Sequence, residues 1–186
     1  MLVRHATADD AAGCLEVYLP YADGTAVSFE DRAPSLDELR QRIERIGRTH
    51  AFLVADDAGR IAGFAYTGEH RTRAAYRWAT EVSVYLGQEY QGRGIRRALY
   101  EPLFALVEQQ GYRILLAGIA LPNPASVGLH RSLGFEEVGT YRRIGWKAGA
   151  WRDVIWLARQ LGPDTHETDP PASPGPPVRL PQPIEL

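Results

Sequence analysis

The first 161 residues alternate between strand-like and helix-like spacing of their hydrophobic positions. Short apolar runs rich in branched residues predict seven strands, at 2–5, 51–56, 60–68, 76–86, 113–120, 136–144 and 153–161. Apolar residues three or four apart predict helices from about Thr7, over 35–46, over 92–110 and shortly after Asn123. Ser35 and Glu38 have the spacing of a capping box. This pattern predicts an α+β (mixed α/β) domain built on one central sheet.

The composition changes sharply after Leu161. Residues 162–186 contain eight of the chain's 13 prolines and almost no periodic apolar positions. Because proline fixes φ and removes a backbone donor, we expect this segment to stay out of the sheet, extended or disordered. A proline-rich tail can also be a ligand for another domain, but a solvated terminus is the commoner case. The sequence therefore predicts a folded domain over 1–161 and a disordered tail over 162–186.

Composition and charge narrow the class of protein. Hydrophobic residues make up 45% and charged residues 24% of the chain, as in globular domains. The 21 basic residues nearly balance the 23 acidic ones, which argues against a nucleic-acid binder driven by a general positive field. The single cysteine, Cys14, excludes an internal disulfide and a cysteine-based zinc site. No apolar run approaches the roughly 20 residues of a membrane span, and residues 1–10 lack the apolar run of a secretion signal. We expect a cytoplasmic protein that binds no metal, membrane or nucleic acid.

A glycine-rich turn joins the predicted strand 76–86 to the next helix. Gly92 and Gly94 stand just before the helix, where the free N–H groups of a first turn attract phosphate. Arg97 occupies the place where a dinucleotide-binding fingerprint needs its third glycine, and the Gly-Lys-Ser/Thr of a P-loop is absent. Two glycines by themselves favour the simpler alternative, which is a tight turn.

Several sequence blocks together resemble the GNAT-type N-acetyltransferase superfamily. Gln91-Gly92-Arg93-Gly94-Ile95 resembles its acetyl-CoA pyrophosphate loop. Residues 123–135, which begin Asn-Pro-Ala-Ser and end Leu-Gly-Phe, resemble its Asn-x-x-Ala/Ser helix and the turn that closes it. Residues 76–86 and 145–154 are similar to the phosphinothricin N-acetyltransferase branch. The resemblance covers residues 1–161 and implies an N-acetyltransferase domain there.

The resemblance implies a GNAT-like fold, in which a seven-stranded, mostly antiparallel sheet is flanked by helices and splayed between two parallel central strands. Strands 76–86 and 113–120 would be this pair, with the pantetheine arm of acetyl-CoA bound between them like an added strand. The implied acetyl-CoA contacts are Val84, Tyr85, Leu86, Gln91, Gly92, Arg93, Gly94, Ile95, Arg96, Arg97, Asn123 and Ser126. Asn123 can also serve simply as a helix N-cap. Arg96 stands where the superfamily usually has Gly or Ala, so its side chain either obstructs the pyrophosphate or adds a contact to it.

The resemblance also implies two catalytic residues, since the reaction needs a base for the amine and a proton for the leaving thiolate. Glu81 lies on the strand face opposite Val82 and Val84, where a carboxylate needs a wet cavity or a partner. The matching glutamate of the phosphinothricin branch is a candidate general base; the alternative is an ion pair with Arg77 or a neighbouring strand. His130 matches a histidine of that branch and is implied to protonate the thiolate; the alternative is a structural histidine. The other histidines, at 5, 50, 70 and 166, share no metal-like spacing and are expected to be structural.

A cluster of arginines and aromatic residues is the candidate acceptor site. Guanidinium groups bind carboxylate or phosphinate in a bidentate manner, which suits an amino-acid-like amine, although three exposed arginines are also typical of a solvated face. The aromatic residues would form an apolar wall; alternatively they belong to the core or to a dimer interface. The candidate acceptor-binding residues are Phe29, Glu30, Arg71, Arg73 and Tyr76, with Arg77 and Trp146 beside them.

The implied function is acetyl-CoA-dependent acetylation of the amine of a small amino-acid-like compound, such as phosphinothricin or methionine sulfoximine. The alternatives are acetylation of a protein N-terminus or a polyamine, and a CoA-binding module without catalysis. The arginine cluster argues against a polyamine, and the presence of both Glu81 and His130 argues against a silent module. The expected partner is a small-molecule amine, and a homodimer is a further hypothesis.

Overall fold

The computed structural model describes residues 1–162 and 171–186, which form one mixed sheet with helices on both faces. The helices are α1 (Ala11–Asp23), α2 (Leu36–Thr49), α3 (Ile95–Gln110) and α4 (Pro124–Ser132). The strands are β1 (Leu2–His5), β2 (Phe52–Asp57), β3 (Arg60–Glu69), β4 (Ala79–Leu86), β5 (Ile114–Ala120), β6 (Glu136–Lys147), β7 (Ala150–Gln160) and β8 (Ile184–Glu185). Their order is β6-β7-β5-β4-β3-β2-β1-β8. Only β4 and β5 pair in parallel among these strands, so the predicted mixed fold is confirmed.

Local capping signals account for the helix starts. The Ser35 hydroxyl accepts from the N–H of Glu38 at 3.2 Å, and the Glu38 carboxylate accepts from the N–H of Ser35 at 2.7 Å. The predicted capping box of α2 is therefore confirmed. Thr7 instead caps a short 3₁₀ turn, Ala8–Asp10, so that α1 begins later than predicted.

Alternating side chains of the central strands divide the core into two layers. In β2, Leu53 faces α3, while Phe52 and Val54 face α1 and α2. All three side chains are at most 2% exposed. Burial of both faces explains why the central strands are nearly continuous apolar runs.

The parallel pair β4 and β5 separates after only three residues. Ala79, Thr80 and Glu81 pair with residues 114–116 of β5, and the pairing stops there although both strands continue. On its other side, β4 stays paired with β3 as far as Leu86. The predicted splay between strands 76–86 and 113–120 is thus present, although β4 begins at Ala79 rather than at residue 76. Residues Ala74–Tyr76 form a 3₁₀ turn instead.

The C-terminal segment differs from the expected disordered tail. Part of the tail, residues 163–170, lies outside the described residues, and the boundary at Leu161 stays a prediction. Residues 171–186 run along the domain and end in β8, which pairs with β1 through Leu2↔Glu185 and Val3↔Ile184. The sheet accordingly has eight strands rather than the expected seven.

Residues that lie between the prolines make hydrogen bonds that hold this segment against the domain. The N–H of Gly175 donates to the Gln110 carbonyl at 2.8 Å, and Nε1 of Trp78 donates to the Ala172 carbonyl at 3.0 Å. Val178 and Leu180 pack on the core layer that contains α3. The expectation was wrong for residues 171–186 because a proline removes only its own N–H, and the intervening residues retain theirs.

Candidate functional site

A cleft opens between β4 and β5 where the two strands diverge beyond Glu81. Tyr100 of α3 and residues of α4 close its inner end. The cleft is lined by Val27, Val82, Ser83, Val84, Tyr85, Tyr100, Ala117, Gly118, Ile119, Ala120, Asn123, Ser126 and His130. The structure therefore brings together five of the predicted site residues, namely Val84, Tyr85, Asn123, Ser126 and His130.

The backbone of β4 presents its free side to this cleft. Its other side bonds to β3 along the whole strand, whereas pairing with β5 ends at Glu81 in the described sheet. Backbone groups between residues 82 and 86 that face β5 are thus available to a ligand that lies like a strand in the cleft. The Leu86 carbonyl is already engaged, because it accepts a 2.6 Å hydrogen bond from the Tyr21 hydroxyl.

His130 lies deep in the cleft, and both of its ring nitrogens have partners. Nδ1 lies 2.8 Å from the Ser126 carbonyl, which can only accept, so we assign the ring proton to Nδ1. Nε2 lies 3.2 Å from the Tyr100 hydroxyl, which then donates to it. His130 is 3% exposed, and burial lowers its pKa, an effect that the bond to Ser126 partly offsets. The imidazole is therefore neutral near pH 7 and satisfied within the fold.

The glycine-rich turn before α3 leads from the end of β4 to a helix start. Gly92 and Gly94 have φ values of 76° and 77°, the left-handed region that glycine adopts without strain. The first intrahelical bond is donated by Ala98 to the Gly94 carbonyl at 3.1 Å, so the amides of residues 95–97 precede the helical ladder. This geometry suits an anion.

The arginines of this turn point to different places. The guanidinium of Arg97 donates to the carbonyl and hydroxyl of Ser132, at 3.1 and 3.2 Å, so its side chain ties α3 to the end of α4. The guanidinium of Arg93 lies over the Tyr90 ring, 5.5 Å from its centre. Arg96 is half-buried at the start of α3. Backbone contacts to an anion remain open to all three residues, whereas the side chains of Arg93 and Arg97 have partners within the fold.

Asn123 serves as the N-cap of α4. Its side-chain oxygen accepts from the N–H of Ser126 at 3.1 Å, which caps α4. The cap holds the first turn of α4 against the cleft and so supports His130 one turn later.

A second cavity, of about 740 Å³, adjoins the cleft on the other face of the sheet. It is lined by Tyr18, Val27, Ser28, Phe29, Glu30, Tyr66, Arg71, Glu81, Tyr85, Gly118, Ala120, Tyr141, Ile144, Val154 and Trp156. Val27, Tyr85, Gly118 and Ala120 line both cavities. Burial raises the pKa of Tyr66 and that of Tyr85, so both hydroxyls stay protonated at neutral pH. We call this cavity the acceptor pocket.

Glu81 reaches the acceptor pocket from the last paired position of β4. Its Oε1 lies 2.7 Å from Nδ1 of His70, which follows β3. The alternative partner considered from the sequence, Arg77, instead donates to Ala74 and Ser173. The Glu81 carboxylate, which lies in an otherwise apolar strand, is therefore partly exposed to solvent, at 36% of its side chain. It also accepts a hydrogen bond from His70.

The predicted acceptor residues divide between two places. Phe29, Glu30 and Arg71 line the acceptor pocket. Arg73 and Tyr76 do not; they line a neighbouring cavity beside His50, which Arg71 also borders. The Trp146 ring is 60% exposed and packs edge-on against Trp151, away from this pocket.

Several residues of the two cavities gave no signal in the sequence. Tyr100 lies within an apolar helix face, and Trp156 and Gly118 lie on buried strands, so each is typical of a core position. Gly118 is favoured by close approach, since a Cβ built on it lies 3.1 Å from Cζ2 and Cη2 of Trp156, closer than most carbon contacts. His70 would have been found only with the β3–β4 register, Gly68↔Glu81, which brings the end of β3 to Glu81.

Neither a metal-binding cluster nor a membrane-spanning helix occurs in the described ranges, 1–162 and 171–186. No group of three or more His, Cys, Asp or Glu side chains there is arranged to hold a metal ion. Within the same ranges, no helix is both long and apolar enough to cross a membrane.

Comparisons with known proteins agree with this geometry. A family model described as an acetyltransferase (GNAT) domain matches residues 3–156. The phosphinothricin N-acetyltransferase of Streptomyces viridochromogenes is 36% identical over 159 residues, which cover 86% of this chain and 87% of that protein.

Two solved structures are similar over nearly the same length. The phosphinothricin acetyltransferase of Sinorhizobium meliloti in complex with AcCoA has a TM-score of 0.81 at 35% identity, covering 86% of this chain and 88% of that one. The ribosomal-protein-alanine N-acetyltransferase of Brucella melitensis has a TM-score of 0.82 at 34% identity, covering 87% and 100%. The predicted N-acetyltransferase activity, with acetyl-CoA as acyl donor, is confirmed. The chain belongs to the GNAT acetyltransferase family, in its phosphinothricin N-acetyltransferase-like branch.

Proposed function

We propose that this acetyltransferase acts on the amine of a small amino-acid-like compound of the phosphinothricin or methionine sulfoximine type. The observation that carries the proposal is the shared wall of the two cavities. A thioester in the cleft between β4 and β5 and an amine in the acceptor pocket would meet at Tyr85 and Gly118. The solved relative from Sinorhizobium meliloti, named as a phosphinothricin acetyltransferase with AcCoA, supports the same substrate class.

The donor side of the site fits acetyl-CoA. The cleft offers unpaired backbone of β4, around Val84 and Tyr85, to the amides of a pantetheine arm. The glycine turn offers the amides at the start of α3 to a pyrophosphate. When bound, acetyl-CoA supplies the activated acetyl group, and the chain's own groups orient it and stabilise the charge that develops on the thioester oxygen.

On the acceptor side, Glu81 is the proposed general base. It is a partly exposed carboxylate in the wall of the acceptor pocket, placed at the point where the strands begin to splay. We expect Glu81→Gln to lower kcat/KM by about 10²–10⁴-fold. Partial recovery at high pH, where the amine has already lost its proton, would distinguish loss of a base from loss of structure.

The Tyr100 hydroxyl is the proposed proton donor for the departing thiolate. It lines the cleft, and burial raises the pKa of Tyr100, so the hydroxyl is protonated at neutral pH. As the C–S bond breaks, the O–H proton passes to sulfur, and the tyrosinate then takes up, through solvent, the proton that the amine has lost to Glu81. His130 acts through Tyr100, because its Nε2 carries no proton and accepts the hydrogen bond that orients the Tyr100 hydroxyl. We expect His130→Ala to lower kcat less than Glu81→Gln does, because a thiolate is already a good leaving group.

Arg71 is the proposed contact for the acceptor's acidic group. It lines the same pocket as Glu81, and a guanidinium pairs with carboxylate or phosphinate in a bidentate manner. Removing such a charged hydrogen-bond partner costs about 1.5–3 kcal/mol, which corresponds to a KM increase of roughly 10–150-fold. Arg73→Ala is the matched control, because Arg73 lines the neighbouring cavity and should leave KM unchanged.

A panel of amines tests the substrate class directly. Release of CoA thiol from acetyl-CoA would be measured with phosphinothricin, methionine sulfoximine, a peptide with N-terminal alanine, and spermidine. The proposal expects kcat/KM for the first two to exceed that for the others by at least about 10-fold, the lower end of the range for one charged contact. A preference for the peptide would instead favour acetylation of protein N-termini, an alternative supported by the similar structure from Brucella melitensis. Binding without turnover of any amine would favour a silent CoA-binding module.

We also propose a homodimer, from the exposed apolar surface of the β6–β7 hairpin. Five large side chains there are at least half exposed: Val138, Tyr141, Ile144, Trp146 and Trp151. Several large apolar side chains exposed on one hairpin are typical of an interface. Two of these residues, Tyr141 and Ile144, also line the acceptor pocket, so a second copy would cover its open side. Light scattering should give twice the chain mass of 20.7 kDa; a monomer at micromolar concentration would contradict the proposal.

A cytoplasmic location stays a prediction. It is supported by the globular composition of the chain and by the use of acetyl-CoA, a donor available inside cells. Fractionation of the native cells, with the activity measured in each fraction, tests it.

A further inference from the structure

We propose that His70 is a positioning residue for Glu81, which it holds by a hydrogen bond from Nδ1 to one carboxylate oxygen so that the other oxygen is left for the amine. This inference rests on the proposed role of Glu81 as general base. It adds a residue that no pattern in the sequence singled out. The distance between Nδ1 of His70 and Oε1 of Glu81 is 2.7 Å, a normal length for a hydrogen bond to a charged acceptor.

The imidazole of His70 is itself held in place by two aromatic rings. Its ring meets Trp156 edge to face, with centroids 5.7 Å apart, and Tyr76 in the same way at 5.9 Å. The His70 side chain is only 14% exposed, whereas that of Glu81 is 36% exposed. The His70 ring is already held in one orientation by its neighbours, so its hydrogen bond can restrict the more exposed Glu81 carboxylate. Little further freedom of His70 is lost when this bond forms.

The wall behind His70 depends on a close approach between two strands. The Trp156 ring lies across Gly118, where a Cβ would come within 3.1 Å of it. The indole nitrogen of Trp156 is buried without a hydrogen-bond partner among the described residues, so its ring is placed by packing alone. β7 and β5 thus support Trp156, Trp156 supports His70, and His70 orients Glu81.

The register between β3 and β4 explains why residue 70 reaches Glu81. Gly68 is paired with Glu81, and Glu69 is paired with Thr80. His70 follows immediately where β3 ends, so its side chain can turn back toward the carboxylate. Arg77, the arginine of the following loop that is nearest to Glu81 in the sequence, donates instead to Ser173 of the C-terminal segment.

Loss of this bond is expected to act on turnover rather than on donor binding. Without His70, the Glu81 carboxylate samples other rotamers, and fewer bound amines meet a correctly placed base. We expect His70→Phe, which keeps a flat ring between Trp156 and Tyr76, to lower kcat by about 10–100-fold, with KM for acetyl-CoA within about two-fold. His70→Asn places a donor near the position of Nδ1 and should recover most of the loss.

Non-additivity with Glu81 separates a positioning role from a merely structural one. In a Glu81→Gln background no carboxylate remains to be oriented. There, His70→Phe should lower kcat by less than about two-fold. An equal loss in both backgrounds, wild-type turnover by His70→Phe, or no recovery by His70→Asn would each overturn the inference. The acetyl-CoA-induced rise in Tm, measured for every variant, confirms that the donor cleft is intact.

An NMR measurement tests the hydrogen bond without turnover. Long-range ¹H–¹⁵N spectra should show His70 protonated at Nδ1 in the wild type and shifted toward the Nε2-protonated form in Glu81→Ala. The same tautomer in both proteins would overturn the inference whether or not any amine is acetylated. Conversely, failure of the whole amine panel with the expected change of tautomer would refute the proposed function while leaving the contact between His70 and Glu81 established.

Discussion

Gly145→Ala is expected to displace Phe29 from the wall of the acceptor pocket. A Cβ built on Gly145 lies 2.3 Å from Cε2 of Phe29 and 2.9 Å from Cδ2 and Cζ. Since carbon atoms in contact lie about 3.5–4.0 Å apart, the ring must move by roughly 1.2–1.7 Å. Phe29 is 42% exposed, so its ring can swing outward instead of straining the sheet.

The size of the effect follows from the contact that the acceptor would lose. Displacing the ring removes about 40–80 Å² of apolar contact from a bound acceptor, which at about 25 cal/mol per Å² is about 1–2 kcal/mol. This range corresponds to an increase of roughly 5–30-fold in KM for the acceptor. The cost to folding should lie near the lower end of the ~1–3 kcal/mol typical of overpacking, because the ring has an open side. KM for acetyl-CoA should not change, since neither residue lines the donor cleft.

Steady-state kinetics with the best amine of the panel, with both substrates varied, checks this prediction. Phe29→Ala alone should raise KM for the acceptor to a similar extent. Adding Gly145→Ala to Phe29→Ala should change KM for the acceptor little, because the ring that the new Cβ would displace is already absent. Gly47→Ala is the matched control, since a Cβ there meets nothing within 4 Å. An unchanged KM in Gly145→Ala, or equal and additive effects in the double variant, would refute the assignment of Phe29 to the acceptor wall.

Three further predictions concern the tail, pH and the glycine turn. Truncation after Gly162 removes β8 and its hydrogen bonds, and should lower Tm by about 2–8 °C, as for a loss of ~1–2 kcal/mol; an unchanged Tm would show that the segment contributes nothing. Burial lowers the pKa of His5, His50 and His130, so the unfolded chain binds protons first. Stability should therefore be full above about pH 6.5 and fall as the pH drops from there toward the lower folded pKa values, and a urea midpoint that is no lower at pH 5.5 than at pH 7.5 would contradict this. Gly94→Ala, at φ 77°, should cost ~1–2 kcal/mol and weaken acetyl-CoA binding by about ten-fold, and calorimetry showing unaltered affinity would exclude a role for this turn.

Local sequence signals predicted the parts of the fold that depend on interactions between residues close together in the chain. The capping box at Ser35 and Glu38 places the start of α2, and the two apolar runs at 51–56 and 60–68 place the β2–β3 hairpin. The glycines at 92 and 94 adopt the positive φ that favours them before a helix. In each case the interacting groups are a few residues apart, so the sequence contains both partners of the interaction.

The tail shows where such local reasoning fails. Its proline content is unfavourable for regular structure, and the prediction of disorder followed from that content. Docking of residues 171–186 depends on partners far away in the chain, among them Gln110 and the free edge of β1. Local propensity does not show that the edge strand β1 has unpaired backbone groups with which a distant segment can pair.

By itself, the sequence determined the mixed fold and the family, and it predicted the donor loop and two candidate catalytic residues, Glu81 and His130. These follow from periodicity and from motifs that are contiguous in the chain. Only the tertiary structure decided what surrounds them: Tyr100 on Nε2 of His130, His70 on Glu81, and Arg71 but not Arg73 in the acceptor pocket. The reason is physical, because a hydrogen bond or a cavity wall depends on distances of a few ångströms between segments tens of residues apart, and strand register and helix packing set those distances.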